Sequence, residues 1–312
     1  MAGTESGLAA LGRIGFIGAG AVGSALARAL AGRGALVAAV SARTPAHATA
    51  LARVLPDATA MAEPAEVAAA CELIILAVPD DAISALATSV PWLAGKSVVH
   101  LSGAQGAEAL AAAAERGMHV GALHPLMTFP RDTLGTPVEQ ILARLAGCTW
   151  ALEAADARLA AALARLVAAL DGQVVRLAPT DRVPYHIAGV LASNYVAALL
   201  GTAVHLWQPF EPDAQAALRA LLPLLKATVA NLEAVGLPEA LTGPLARGDS
   251  GTVAAHLAWL DAHAATSPDG AALRDAYVAL ARLALPLAEA KGTLTPEAAA
   301  ELRRLLERAS AE

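Results

Sequence analysis

The chain has 312 residues, 56% of them hydrophobic and 16% charged, with a formal net charge of −6. That length suits two domains rather than one, and a mildly acidic balance without a basic run argues against nucleic acid as a partner. Cys71 and Cys148 have neither metal-ligand nor redox spacing, and the segment around Glu5 shows no basic region followed by an apolar run, so a reducing cytoplasm is the expected compartment.

The first predicted elements are the most informative. Ile14, Phe16 and Ile17 read as a short buried strand, and Gly18-Ala19-Gly20-Ala21-Val22-Gly23 completes a GxGxxG fingerprint ahead of a helix. In such a motif the first glycine permits the tight turn and the second lets the backbone approach a pyrophosphate. The third lets helix pack on strand, and the helix N-terminus favours the anion. A second strand over Leu36–Val40 completes a βαβ half within about thirty residues, so a dinucleotide cradle is expected. That strand runs out through Ser41-Ala42-Arg43-Thr44, with no acid to take a ribose 2′-hydroxyl. Arg43, between the hydroxyls of Ser41 and Thr44, is the expected partner of a 2′-phosphate, which favours NADP over NAD. If Arg43 is only a solvated loop residue, NAD remains the alternative.

Strands are expected at 13–18, 35–41, 72–78, 97–101, 118–123, 148–153 and 173–177, with a weaker one near Ala58, and helices fill most of the gaps. This alternation predicts an α/β fold: a doubly wound, mainly parallel Rossmann-type sheet over residues 1–178. Ligands of such sheets sit at the carboxyl ends of the strands. Val78-Pro79 would therefore border the dinucleotide, and Ser102-Gly103 would lie near its nicotinamide end, unless both are plain turn chemistry. His124-Pro125 follows a strand and opens a loop to Phe129-Pro130. His124 is expected to face the crevice; otherwise the two prolines make a rigid surface turn.

After residue 180 the strand patterns stop. Helices expected at 181–207, 211–235, 250–264, 268–290 and 296–310 predict an all-helical substrate and dimerisation domain over 179–312. Ile187–Trp207 contains no Asp, Glu, Lys or Arg and could span a bilayer by length alone. Ser193, Asn194 and His205 interrupt it and no basic flank orients it, so no membrane partner is expected and the helix is assigned to the buried centre of the domain. At 100° per residue, His186, Ser193 and Asn194 share one side of this helix, just after Tyr185. Three polar groups on an apolar helix suit a polar pocket better than a core.

Further on, Thr242-Gly-Pro and Arg247 offer a backbone turn and a guanidinium suited to a substrate carboxylate. Asp249 or Ser250 reads as a helix cap, with Thr252 and His256 one turn apart behind it. His124, His186 and His256 lack short ligand spacing, and the chain has no HxxxH or CxxC, so no metal is expected.

Taken together, the HPLxxF-type loop at His124, the YHxAxxxxSN helix at Tyr185 and the LTGPxxRGDxxTVxxHL segment at Leu241 resemble one family. From about Arg13 to Leu285 the chain resembles Rossmann-like proteins that carry the domain of unknown function 2520. These sit within the superfamily that has 6-phosphogluconate dehydrogenase-like helical domains, which includes pyrroline-5-carboxylate reductase and ketopantoate reductase. The resemblance implies an NAD(P)-dependent oxidoreductase with its site between the domains, but it names no single substrate. One departure matters. Related hydroxyacid dehydrogenases use a Lys-x-x-x-Asn pair, yet Val190 stands four residues before Asn194, and Arg182 and Pro184 occupy the loop where relatives carry a lysine.

The remaining proton donors are His186, Tyr185 and His124. The expected reaction is hydride transfer from NADPH to a small carbonyl or imine compound bearing a carboxylate. His186 is the expected donor, Ser193 and Asn194 orient the substrate, and Arg247 holds the carboxylate. Ketopantoate-type reduction of a 2-keto acid is the alternative within that class, and a non-catalytic dinucleotide-sensing or scaffold protein is the alternative outside it. An apolar helical domain further predicts a homodimer.

Overall fold

The computed structural model describes residues 8, 10–131 and 133–311; the segment around Glu5 lies outside the described residues. The strand runs end at glycine, proline or charge and form β1 (Ile14–Ile17), β2 (Val37–Ser41), β3 (Thr59–Ala60), β4 (Leu73–Leu76), β5 (Ser97–His100), β6 (His119–Pro125), β7 (Thr149–Ala154) and β8 (Gln173–Arg176). They make one sheet in the order β3-β2-β1-β4-β5-β6-β7-β8. Every pairing is parallel except β6 with β7. The first six strands therefore adopt the doubly wound order of dinucleotide-binding folds, and β7 and β8 extend the sheet at one edge.

Helices α1 (Ala21–Gly32), α2 (Pro45–Arg53), α3 (Pro64–Ala70), α4 (Asp80–Ser89), α5 (Ala111–Ala114), α6 (Val138–Leu145) and α7 (Ala157–Ala169) connect the strands. Burial on both faces of the sheet explains the unbroken aliphatic strands. In β4, Leu73 and Ile75 join a cluster with Phe16, Leu26, Leu30 and Trp150. Ile74 and Leu76 join the opposite one with Val67, Ile83 and Val98, as the two-residue period of a strand requires.

Strands end with Arg176, and the later elements are helices: α8 (Arg182–Ala192), α9 (Asn194–Trp207), α10 (Ala214–Val235), α11 (Pro244–Arg247), α12 (Ser250–Ala264), α13 (Gly270–Ala290) and α14 (Pro296–Ala311). The chain divides into two compact units, Met1–Asn194 and Tyr195–Glu312. That division falls one helix later than the 178/179 boundary expected from the sequence, because α8 is tied to the sheet. In the second unit Val253, Leu257, Val278, Ala281, Leu285, Leu302 and Leu306 of α12 to α14 form a core of their own.

Two expectations about the 181–207 helix are corrected. It breaks at Ser193, whose φ of −127° and ψ of −71° leave the helical region. The adjacent short polar side chains of Ser193 and Asn194 are weak helix formers. Nor is it the buried centre of a helical domain: Pro179–Trp207 is long and apolar enough to cross a membrane, yet none of its apolar window is buried. The second unit's core is assembled from α12 to α14 instead, which leaves Val183, Ile187, Leu191, Tyr195 and Leu199 exposed.

Candidate active site

The glycine fingerprint lies where a cofactor cradle requires it. Gly18 ends β1 at φ +111°, and a Cβ there would meet the Ala77 carbonyl oxygen at 2.2 Å. A Cβ on Gly23 would meet the Gly18 carbonyl oxygen at 2.4 Å, whereas one on Gly20 would meet nothing within 4 Å. Gly18 and Gly23 are thus demanded by the fold and Gly20 is not. Its open side is the space a pyrophosphate needs. Gly20 caps α1 without a side-chain hydrogen bond, and the first turn, which includes Ala21 and Val22, holds no acid. Its amides and the helix dipole therefore favour an anion. The Ala19 carbonyl accepts from Ser24 Oγ at 3.2 Å.

At the end of β2, the Ser41 carbonyl accepts from Gly18 N at 2.8 Å, while its buried Oγ has no partner. Arg43 is exposed and makes no ion pair among the described residues. Thr44 precedes α2 with no capping bond from its side chain. These residues fit a 2′-phosphorylated dinucleotide: an acid-free turn, a free guanidinium, an unpartnered hydroxyl and an open backbone face. Val78 and Pro79 lead from β4 into α4, with Pro79 at its N-cap. Ser102 Oγ accepts from Ala104 N at 3.1 Å and Gln105 N at 3.0 Å, so it shapes the turn after β5.

His124 and Tyr185 are brought together. His124 Nδ1 and Tyr185 Oη share a hydrogen bond of 2.8 Å, with the rings edge to face at 5.7 Å. A Cβ on Gly103 would lie 2.8 Å from His124 Nε2, so the glycine makes room for the imidazole. Burial, reinforced by the neighbouring His186 and Arg182, pushes His124 down to about 4, and burial pushes Tyr185 up to about 12. Both groups are therefore neutral at ordinary pH.

The pair opens onto a cleft of about 560 Å³ lined by Leu126, Met127, His186, Ser193 and Asn194 among others, all within the first unit. His186 of α8, and Ser193 and Asn194 at the break into α9, thus meet the His124 loop. His186 and Asn194 are the more exposed of the three. Thr242 and Arg247 lie in the second unit, in a separate cleft of about 440 Å³ that Lys291 and Thr293 also line. Lys291 Nζ donates to the carbonyls of Glu239 and Leu241 at 2.9 and 2.8 Å. Thr293 Oγ1 donates to that of Ala246 at 2.8 Å.

The Asp249 cap is present, accepting from Thr252 N at 2.9 Å, and His256 Nδ1 meets Tyr277 Oη at 2.9 Å. Among the described residues no group of His, Cys, Asp or Glu could hold a metal. Cys71 and Cys148 are free and buried, and burial raises both thiols to about 11.

Residues 4–125 match the Rossmann-like domain, and residues 148–284 match the domain of unknown function 2520. These two family models match successive segments of the chain. His124 falls in the first match and Tyr185 in the second, so their hydrogen bond joins the two. A Bacteroides fragilis protein provisionally assigned as an NADP oxidoreductase is 24% identical, with a TM-score of 0.69 over 88% of this chain and 98% of its own. A pyrroline carboxylate reductase of Plasmodium falciparum with NADP bound is 14% identical, with a TM-score of 0.53 over 96% and 97%. An imine reductase of a Pseudomonas species is 23% identical, with a TM-score of 0.57 over 95% and 99%. These likenesses show the fold. Comparison with curated proteins finds no match.

Sequence reasoning passed over Glu153, Lys291 and Thr293 and saw Arg182 only as a missing lysine. No local pattern marks Lys291 or Thr293, because their partners lie in a distant segment. A better signal existed for Arg182, a charged residue one turn ahead of Tyr185 on an apolar helix.

Proposed function

We propose that this protein is an NADP-dependent reductase acting on a small carbonyl or imine compound that bears a carboxylate. The observation that carries the reading is the neutral His124–Tyr185 pair, set beside Gly103 at the same carboxyl edge of the sheet as an open glycine cradle. The NADP-bound reductase and the imine reductase of the same fold support the cofactor and the reaction class.

Gly18 to Gly23 would hold the pyrophosphate, and Ser41, Arg43 and Thr44 the 2′-phosphate. Val78, Pro79, Ser102 and Gly103 would line the path to the nicotinamide, which when bound supplies the hydride. In the resting pair the Tyr185 hydroxyl donates its single proton to His124 Nδ1, the neutral imidazole carrying its one proton on Nε2, and a bound substrate would take over that donor. A phenol held up to about 12 keeps its proton in the ground state and releases it to a nascent alkoxide or amine, a contribution of about 10² to 10⁴ in rate. His186 on α8, with Ser193 and Asn194 at the break into α9, would orient the substrate, with His186 as the other candidate donor. In the cleft of the second unit, Thr242 and Arg247 keep the turn and guanidinium suited to a carboxylate. The exposed apolar surface of α9 and α10 is proposed to be covered by a second copy of the chain.

The test is NADPH oxidation by purified protein against 2-keto acids, cyclic imines and aldehydes. Turnover that falls by about 10² or more in Tyr185→Phe, with cofactor affinity kept, supports the reading. Turnover untouched by Tyr185→Phe and by His124→Gln would overturn the proton assignment. A failure to bind NADPH would overturn the whole.

A further inference from the structure

Arg182 opens α8 at 3% exposure, a rare place for a guanidinium. Its Nη2 donates to Glu153 Oε2 at 2.7 Å in a pair that is almost sealed from water. Glu153 Oε1 accepts from Ala107 N at 3.1 Å. Arg182 Nε and Nη1 are buried with no hydrogen-bond partner. Burying a charge with two donors unused is unfavourable, so a helix anchor alone would be better served by an apolar side chain.

The geometry shows what the pair accomplishes. Arg182 and Tyr185 are one turn apart on α8 and share a face. Glu153 stands opposite Ala122 in the antiparallel register of β7 on β6, and His124 stands opposite Ala151. Residues alternate along a strand, so Glu153 and His124 point to the same face of the sheet. Arg182–Glu153 and Tyr185–His124 are therefore consecutive polar rungs between one helix and one strand pair. We propose that Arg182 is a positioning residue whose ion pair with Glu153 sets α8 on β6 and β7 in the register that brings the Tyr185 hydroxyl onto His124. The inference rests on the reading of His124 and Tyr185 as the proton-bearing pair. The guanidinium charge acts in the same sense, lowering the pKa of both groups and so favouring donation from the phenol to a neutral imidazole.

The test is a double-mutant cycle on the full chain with NADPH and whichever panel compound it reduces, together with the ¹⁵N resonance of the His124 ring, which needs no turnover. Arg182→Met should lower kcat by about 10²-fold, the scale of a small misplacement of a catalytic group, while leaving the NADPH dissociation constant unchanged. The His124 Nδ1 resonance should move towards that of an unbonded acceptor. Arg182→Lys, which keeps a donor for Glu153, should restore most of both signals. In a Tyr185→Phe background Arg182→Met should cost nothing more, because residues acting through one contact are not additive.

If Arg182→Met does not fold, Arg182→Met with Glu153→Gln removes both charges, keeps an acceptor for Ala107 N, and is read in the same way. An unmoved His124 resonance, or a full additional loss in the Tyr185→Phe background, would overturn the proposal. If Tyr185→Phe itself leaves turnover intact, the proton-pair reading fails, and the His124 resonance still decides the role of Arg182.

Discussion

A single added methyl group separates the two uses of glycine in the cradle. At Gly18 it would collide with the Ala77 carbonyl and require a strained φ, so Gly18→Ala should lower the melting temperature with or without cofactor. At Gly103 it would press on His124 Nε2 at 2.8 Å. Gly103→Ala should therefore keep the fold and disturb the His124–Tyr185 bond, seen as a loss of turnover larger than any loss of NADPH affinity. His124 also makes a prediction about pH. Its folded pKa of about 4 lies below the 6.5 of the free group, so between those values the unfolded chain binds more protons than the folded one. Stability should fall as pH drops from about 6.5 towards 4, and His124→Gln should flatten that slope in thermal melts. A slope unchanged in the variant would assign the acid sensitivity elsewhere, His100 being the other buried imidazole whose pKa is lowered.

At the scale of elements, the strands were legible because each is a short aliphatic run closed by glycine, proline or charge. The weak strand near Ala58 emerged as Thr59–Ala60, and the other strands lie within a few residues of their expected bounds. What periodicity cannot show is which neighbour an apolar helix finds. The run from Ile187 to Trp207 has the composition of a core helix, but α12 to α14 close a core without it. The break at Ser193 was equally hidden, because a helical wheel assumes the helix continues. His186, Ser193 and Asn194 still line one cleft, across a kink rather than along one straight face. Arg182 was misread for a different reason: seeking a lysine acid in that loop directed attention to what was missing, while burial and the partner on β7 exist only once the sheet is assembled. Breaking that rung by Glu153→Leu should leave the Arg182 charge buried and unpaired, a loss of about 3 to 5 kcal/mol measurable by denaturant unfolding.

Across the whole second unit, exposed apolar side chains accumulate on α9 and α10 and the turn between them, from Tyr195 through Phe210, at 79% exposure, to Leu224 and Val235. If a second copy covers this surface, sedimentation should show a dimer, and Leu224→Asp should shift it towards monomer while the first unit still binds NADPH. A monomer at all concentrations would require another partner for these helices.

The claim on which the account depends most is that the first unit holds a 2′-phosphorylated dinucleotide through an acid-free turn. Titration of the protein with NADPH and with NADH, monitored by cofactor fluorescence, tests it directly. NADPH should bind at least about ten times more tightly, since one charge-assisted contact is worth about 1.5 to 3 kcal/mol. Arg43→Ala should erase the difference, and Gly20→Val should abolish binding in a folded protein, its side chain entering space that no other residue occupies. Equal dissociation constants for the two cofactors, or normal binding by Gly20→Val, would contradict the account.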